Sequence, residues 1–385
     1  MEVQFARPWF GGGEAEAVAE VIASGWLTQG PRVEEFERAF AARVGAPQAV
    51  ATTSCTTALH LALYASGVGP GDEVIVPSLS FIATANAVWH CGATPVFADV
   101  DPLTYNLDPA DVERRLTPRT KAVMPVHQVG LPADMDSFLE LGERHGLAIV
   151  EDAACAIGAL HRGRPIGSLG PLACFSFHPR KVITCGEGGM IAVHDSEVAE
   201  RLRALRQHAM DKSALARHAA RDVVIEHYPE RGWNARMTDL QAAVGLRQLD
   251  VLDTVLAERR RLADRYTGLL EGIPSIETPH EPEYAERTWQ SYPIRIGPEA
   301  PVDATELMNL LLQDGIATRR GVMAIHLEHS YEAPSPGLPH TEAAARDVVL
   351  LPLFPGLSDE AQDYVVERLA ALTAAGAAAG AGAIT

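Results

Sequence analysis

Apolar residues recur along this chain in two alternating rhythms. Residues 14–24 (EAEAVAEVIAS) and 33–44 (VEEFERAFAARV) place them at helical spacing, and a third helix is expected after Ser54. Short apolar runs rich in β-branched residues then follow. They are DEVIVPS (72–78), TPVFADV (94–100), KAVMPV (121–126), LAIVED (147–152), ACFSF (173–177) and MIAVH (190–194). Helical patterns lie between several of them, near 82–91, 135–145 and 196–209. This alternation predicts an α/β domain, a mostly parallel sheet covered by helices on both faces. The close spacing of 173–177 and 190–194 is the one departure from strict alternation.

From Thr238 the rhythm changes. TDLQAAVGLRQLDVLDTVLAERRRLADRYTGLLEGI reads as one very long or broken helix that runs out of the first domain into a second. A strand at 289–296 (WQSYPIRI) and helices at 304–315 and 359–372 complete that second unit. The expected organisation is a large α/β domain over 1–245, a smaller α+β domain over 246–372, and a low-complexity, disordered tail over 373–385.

Composition narrows the picture. A chain of 385 residues with 47% hydrophobic and 21% charged residues buries a large core and reads as an ordinary soluble protein. The formal net charge of −18 argues against a nucleic-acid or anionic-membrane binder. The cysteines number 5, an odd count, with no C-x-x-C pair, which argues against a disulfide framework or a zinc ribbon and for a reducing cytoplasm. MEVQFARPWFGGG has no basic segment followed by an apolar stretch, and no apolar run reaches the length of a membrane span.

The chemistry concentrates at two strand ends. FSFHPRK ends an apolar strand at Lys181, before the turn Gly186-Glu187-Gly188-Gly189, and Asp152 ends the strand LAIVED. An amine and a carboxylate presented in this way are what pyridoxal phosphate requires, one for the cofactor aldehyde and one for the pyridine nitrogen. Ser54-Cys55-Thr56-Thr57 opens a helix, and a helix start offers free N–H groups and a positive dipole end to a phosphate. Each residue also has an ordinary reading: Lys181 as a surface lysine, Asp152 and the threonines as helix caps, Asn234 as a turn residue and Phe81 as core.

Ordered blocks tip the balance. SGWLTQGPRVEEFERAFA, TSCTTALHLAL, GPGDEVIVPSLSFIATANAV, PVHQVGLPADMD, VEDAACAIGA, FSFHPRK, GEGG and GWNARMTDLQAAVGLRQL span nearly the whole chain. Together they resemble the DegT/DnrJ/EryC1/StrS sugar aminotransferases, of the pyridoxal-phosphate-dependent fold type I. The resemblance implies Lys181 as the Schiff-base lysine and proton carrier, and Asp152 as the partner of the ring nitrogen. It implies Thr56, Thr57 and Ser176 at the phosphate, joined by Asn234 from the neighbouring subunit of a homodimer. It also implies Phe81 stacked on the ring. Cys155 stands where the family usually has a glutamine near the ring edge, and Cys55 where it usually has a glycine.

The substrates implied are glutamate or glutamine as amino donor and a keto-sugar, nucleotide-linked, as acceptor. The competing readings are a cyclitol ketone acceptor, a dehydratase or lyase using the same electron sink, and a non-catalytic homologue. His178, Arg319 and His326 are candidate substrate contacts, with Arg319-Arg320 as a solvated basic pair the alternative. Gly11-Gly12-Gly13 lacks the context of a phosphate loop. His326 and His329 lack a third metal ligand, so no metal is expected. The stretch 211–226 reads as an exposed loop with a helical piece.

Overall fold

The computed structural model describes residues 1–212, 220, 222–331 and 337–374. Most of the tail expected over 373–385, and much of the loop expected over 211–226, lies outside the described residues. Thr373, assigned above to the tail, is instead the buried last residue of the final helix.

The chain opens with helices α1 (Glu14–Ser24) and α2 (Pro31–Val44). Pro31 fits the first turn of α2, where its missing N–H costs nothing, and Gly45 ends the helix at φ 70°. Then come β1 (Gln48–Thr52), α3 (Cys55–Ala65), β2 (Glu73–Pro77), α4 (Ala83–His90), β3 (Thr94–Ala98), α5 (Pro109–Arg114) and β4 (Thr120–Val123). They are followed by α6 (Met135–His145), β5 (Ala148–Asp152), β6 (Leu160–His161), β7 (Arg164–Pro165), β8 (Leu172–Ser176), β9 (Gly189–Val193) and α7 (Ser196–Leu205). All six expected strands of this region form. β1, with the sequence QAVAT, joins them without a strong β-branched signal of its own.

Seven strands make one sheet in the order β1-β9-β8-β5-β4-β2-β3. Five neighbours from β8 to β3 are mutually parallel, while β9 runs antiparallel to both β8 and β1. That reversal is what the short spacing of 173–177 and 190–194 encodes. One hydrophobic core lies on each face of the sheet, around Phe36, Phe40, Phe138 and Phe175 on one side and Leu59, Leu61, Val88 and Leu202 on the other.

The long helical pattern is broken. α8 (Asp239–Asp250) starts with a capping box between Thr238 and Gln241, and α9 (Leu252–Leu270) follows after Val251. α8 packs on α1 and α2, whereas α9 packs on the last helix, α12 (Asp359–Thr373). Between them lie β10 (Ile276–Glu277), β11 (Ala285–Glu286), β12 (Tyr292–Ile296), α10 (Ala304–Gln313), β13 (Arg319–Arg320), α11 (Pro339–Asp347) and β14 (Val348–Leu351). A second sheet, β10-β12-β14-β13, shares a separate core with α9, α10 and α12, and that core also takes Val3 from the chain start.

The outer side of β1 carries no further strand in this sheet. Side chains take its main-chain groups instead. Ala51 N donates to Glu37 Oε1 at 2.8 Å, Arg206 Nη1 donates to Ala51 O at 2.7 Å, and Arg203 Nη2 donates to Ala49 O at 3.3 Å. Arg206 also pairs with Glu37, and both are buried.

An aromatic cluster around the buried His60 joins α3 to the segment before α8. The His60 ring lies 4.7 Å from Trp233 and 5.6 Å from His90. Burial, with His90 beside it, pushes His60 down to about 4 from an ordinary 6.5. The folded state therefore keeps His60 neutral while the unfolded chain binds a proton below 6.5. Stability contributed above that pH is lost as pH falls from 6.5 toward 4. Urea unfolding between pH 7 and 4 should show this loss, and His60→Gln should flatten it.

Candidate active site

Parallel strands deliver their carboxyl ends to one edge of a sheet, where loops can be chemically varied without disturbing the core. Here that edge collects the turn after β1, the loop after β2, the ends of β4 and β5, and Ser176 at the end of β8. β5 and β8 are neighbours, with Asp152 opposite Cys174.

Asp152 is 6% exposed. Its Oδ2 accepts from Thr84 Oγ1 at 2.8 Å and its Oδ1 from Ala154 N at 3.2 Å. Burial pushes this carboxyl above its ordinary range, opposed by those two hydrogen bonds and by the charges of Lys181 and His127. A buried carboxylate held by neutral donors still has reason to seek a cationic partner.

Lys181 Nζ donates to Cys155 Sγ at 3.2 Å, on the turn that follows Asp152. Burial alone would push the ammonium down. Cys155, Cys55 and Asp152 more than reverse this, and the net direction is up. The lysine and the aspartate thus meet in one electrostatic neighbourhood, with Cys155 between them in sequence and touching the amine.

The start of α3 forms the adjacent wall. Ser54 caps it, its Oγ accepting from Thr57 N at 3.2 Å, and the Thr57 hydroxyl bonds the Thr53 and Ser54 hydroxyls at 3.2 and 3.0 Å. Thr56 and Thr57 are half-buried. Ser176 pairs in register with Gly189, and a Cβ on Gly189 would lie 2.4 Å from the Ser54 carbonyl oxygen. Only glycine lets β9 approach the helix start this closely, so hydroxyls and helix N–H groups gather round a small space. A positive helix end, two threonine hydroxyls and a serine suit a phosphate. With Lys181 and Asp152 alongside, the residues present fit pyridoxal phosphate.

Phe81 is 65% exposed, so the ordinary core reading of it does not hold, and its ring is open to a ligand or partner. Asn234 is also exposed. It follows the cluster residue Trp233 and precedes Ala235, whose carbonyl accepts from Thr53 N at 3.1 Å. His178 is half-buried, its Nδ1 accepting from Arg180 N at 3.2 Å, and burial pushes its imidazole pKa down.

Two further candidates for substrate contact lie on and just after β13. His326 is 1% exposed, and its Nδ1 is engaged with Ser78 Oγ at 2.6 Å. This buried ring ties the loop after β2 to the segment after β13, and its Nε2 lies 3.4 Å from Glu342 Oε1. Arg319 is exposed on β13, with its guanidinium 5.4 Å from the Phe5 ring, and Arg320 pairs with Glu328 at 3.2 Å. Both arginines have surface partners of their own.

The sequence pattern does not single out several supporting residues. Thr84 Oγ1, its proton given to Asp152, accepts from Ser80 Oγ at 2.7 Å, so a buried hydroxyl pair backs Asp152. The i, i+4 spacing of Ser80 and Thr84 in SLSFIATAN is the only trace of it. His127 Nε2 and Glu151 Oε2 lie 3.1 Å apart with both side chains fully buried, and His127 N donates to the Asp152 main-chain carbonyl at 3.1 Å. Thr288, just after β11, donates its hydroxyl to the Cys155 carbonyl at 2.8 Å.

A sequence model of the DegT/DnrJ/EryC1/StrS aminotransferase family matches residues 10–370. The chain is 40% identical over 371 residues to the spore coat polysaccharide biosynthesis protein SpsC of Bacillus subtilis, covering 95% of each. It is 41% identical over 370 residues to GDP-perosamine synthase of Caulobacter vibrioides, covering 95% of this chain and 97% of the relative. The crystal structure of S. venezuelae DesV superposes with a TM-score of 0.86 at 39% identity, over 96% of this chain and 98% of that one.

Proposed function

Because the chain belongs to the DegT/DnrJ/EryC1/StrS aminotransferase family, it is a pyridoxal-phosphate-dependent aminotransferase, and we propose that it aminates a nucleotide-linked keto-sugar at the expense of glutamate or glutamine. The reading serves amino-sugar formation for a polysaccharide or a secondary metabolite. The relative named for polysaccharide biosynthesis and the one named for a GDP-linked product support this acceptor class. One observation carries the catalytic part: Lys181 Nζ lies 3.2 Å from Cys155 Sγ, on the turn that leaves Asp152.

When bound, the cofactor supplies an electron sink for the bonds around the transferred amine. Lys181 would hold it covalently through Nζ and, once released, carry a proton between the substrate carbon and the cofactor as general acid and base. Asp152, buried and oriented by Thr84 and Ala154 N, would keep the ring nitrogen protonated. Thr56, Thr57 and Ser176 would take the phosphate, and Phe81 would cover one face of the ring. Cys155 would lie at the ring edge, and His178 would border the acceptor.

Asn234 would complete the phosphate site of a second copy, making the enzyme a homodimer with shared sites. Its exposed position, beside a segment bonded to the helix start, supports that geometry. Asn234→Ala is expected to weaken cofactor retention about tenfold, the size of a hydrogen bond to a charged group, as read by equilibrium dialysis. Unchanged retention would count against a shared site. The break at Val251 supports a division into a large cofactor-binding unit and a smaller carboxy-terminal one. Five free thiols support a reducing, cytoplasmic setting, and among the described residues no helix is long and apolar enough to cross a membrane.

The deciding experiment is a donor-linked assay over a panel of nucleoside-diphosphate keto-sugars and cyclitol ketones. Turnover with a nucleotide-linked ketone, matched one for one by oxo-acid formation from the donor, is expected. Turnover confined to cyclitol ketones, or product formed without donor consumption, would overturn the reading.

A further inference from the structure

Cys155 is a half-buried thiol whose sulfur touches one polar side-chain atom, Lys181 Nζ at 3.2 Å. Its main chain is held with unusual care. Thr288, 1% exposed, donates its hydroxyl to the Cys155 carbonyl and its N–H to Gly130 O at 3.1 Å. Gly130 has φ +89°, and a Cβ there would lie 2.0 Å from Thr288 Oγ1 and 3.0 Å from the Cys155 carbonyl. A glycine on the large unit and a buried threonine on the segment before β12 thus close on the cysteine from two sides. Beyond Thr288, Trp289 has φ 52°, a left-handed conformation that a bulky residue takes only where its surroundings impose it.

We propose that Cys155 is a positioning residue for the transamination: its sulfur receives the free amine of Lys181, and the Thr288–Gly130 clamp fixes the main chain that carries that sulfur. The proposal rests on the Lys181 reading above. A lysine side chain has four rotatable bonds, and a proton carrier must be held near its reacting atom. Sulfur is a weak acceptor, so the contact can hold the amine without retaining it.

The titratable groups that act on this amine are Cys155, Cys55 and Asp152, and His178 feels its charge in turn. Burial disfavours the ammonium and these neighbours favour it. Removing the sulfur therefore leaves burial less opposed, and the amine should lose its proton at lower pH.

The test uses cofactor-free protein, so it does not depend on turnover. Lys181 is acetylated with limiting acetic anhydride across a pH series, and its labelled fraction is read by peptide mass spectrometry. In Cys155→Ala the labelling midpoint should move down by about one pH unit, the equivalent of one hydrogen bond to a charged group. Thr288→Val should move it in the same direction by less, and Cys155→Ser should restore part of the shift. Reversible methylthiolation of Cys155 in the natural protein gives a second route that needs no variant to fold, with dithiothreitol returning the midpoint. A midpoint unchanged by both Cys155→Ala and methylthiolation would overturn the role of Cys155. Failure of the natural protein to form a visible linkage with added pyridoxal phosphate would instead overturn the assignment of Lys181.

Discussion

Lys181→Ala should leave a folded protein that no longer forms a visible-absorbing linkage with pyridoxal phosphate and that turns over at least about 1,000-fold more slowly. Two separate losses combine. The covalent hold on the cofactor disappears, and so does the proton carrier, a function that alone contributes about 10²–10⁴-fold. The fold should tolerate the change because the described Lys181 side chain makes one hydrogen bond, to Cys155, and lies outside the hydrophobic cores. Absorbance with added cofactor, single-turnover kinetics with the amino donor and a melting curve separate the outcomes. A variant that keeps both colour and rate would remove Lys181 from the mechanism.

Asp152→Asn is the second large effect. The amide is nearly isosteric, so its oxygen can still accept from Ala154 N, and its NH₂ can donate to the Thr84 hydroxyl, which reverses its own donor role. Stability should change by less than about 1.5 kcal/mol. What disappears is the negative charge. Breaking a buried charge pair by removing one partner costs about 3–5 kcal/mol, which corresponds to a fall of about 10²–10⁴-fold if it is felt in the transition state. The cofactor should still bind, since Lys181 and the phosphate cradle are untouched. Ordinary donor kinetics in the Asp152→Asn enzyme would mean that the ring nitrogen is served by another group. Thr84→Val tests the support of this carboxylate, with an expected loss of about tenfold in rate and little in cofactor retention.

The fold was legible because its signals were local. β-branched runs and helical spacing report on the segment that carries them, and the large sheet followed from their alternation. β1 was missed because QAVAT is mostly small residues; its strand state is decided by pairing with β9 rather than by its own propensity. Lys181 and Asp152 were legible as candidates because Asp152 ends β5 and Lys181 follows β8 shortly before a glycine turn. Thr84, His127 and Thr288 were not. Each matters through a partner distant in sequence, and a hydroxyl or imidazole in isolation says nothing of what it will face. His326 is the converse case: in space it is a buried tie to Ser78, a contact its place in the sequence does not announce.

The covered margin of β1 has a consequence for how copies of this chain can come together. With the Ala49 carbonyl and both main-chain groups of Ala51 already taken by Arg203, Arg206 and Glu37, a foreign strand would have to displace a buried ion pair to add there. Open-ended stacking of molecule upon molecule through this sheet is thereby suppressed. Pairing is left to faces that can close on themselves, and a chain carrying alanine at both 37 and 206 would be the one to watch for fibrous aggregates.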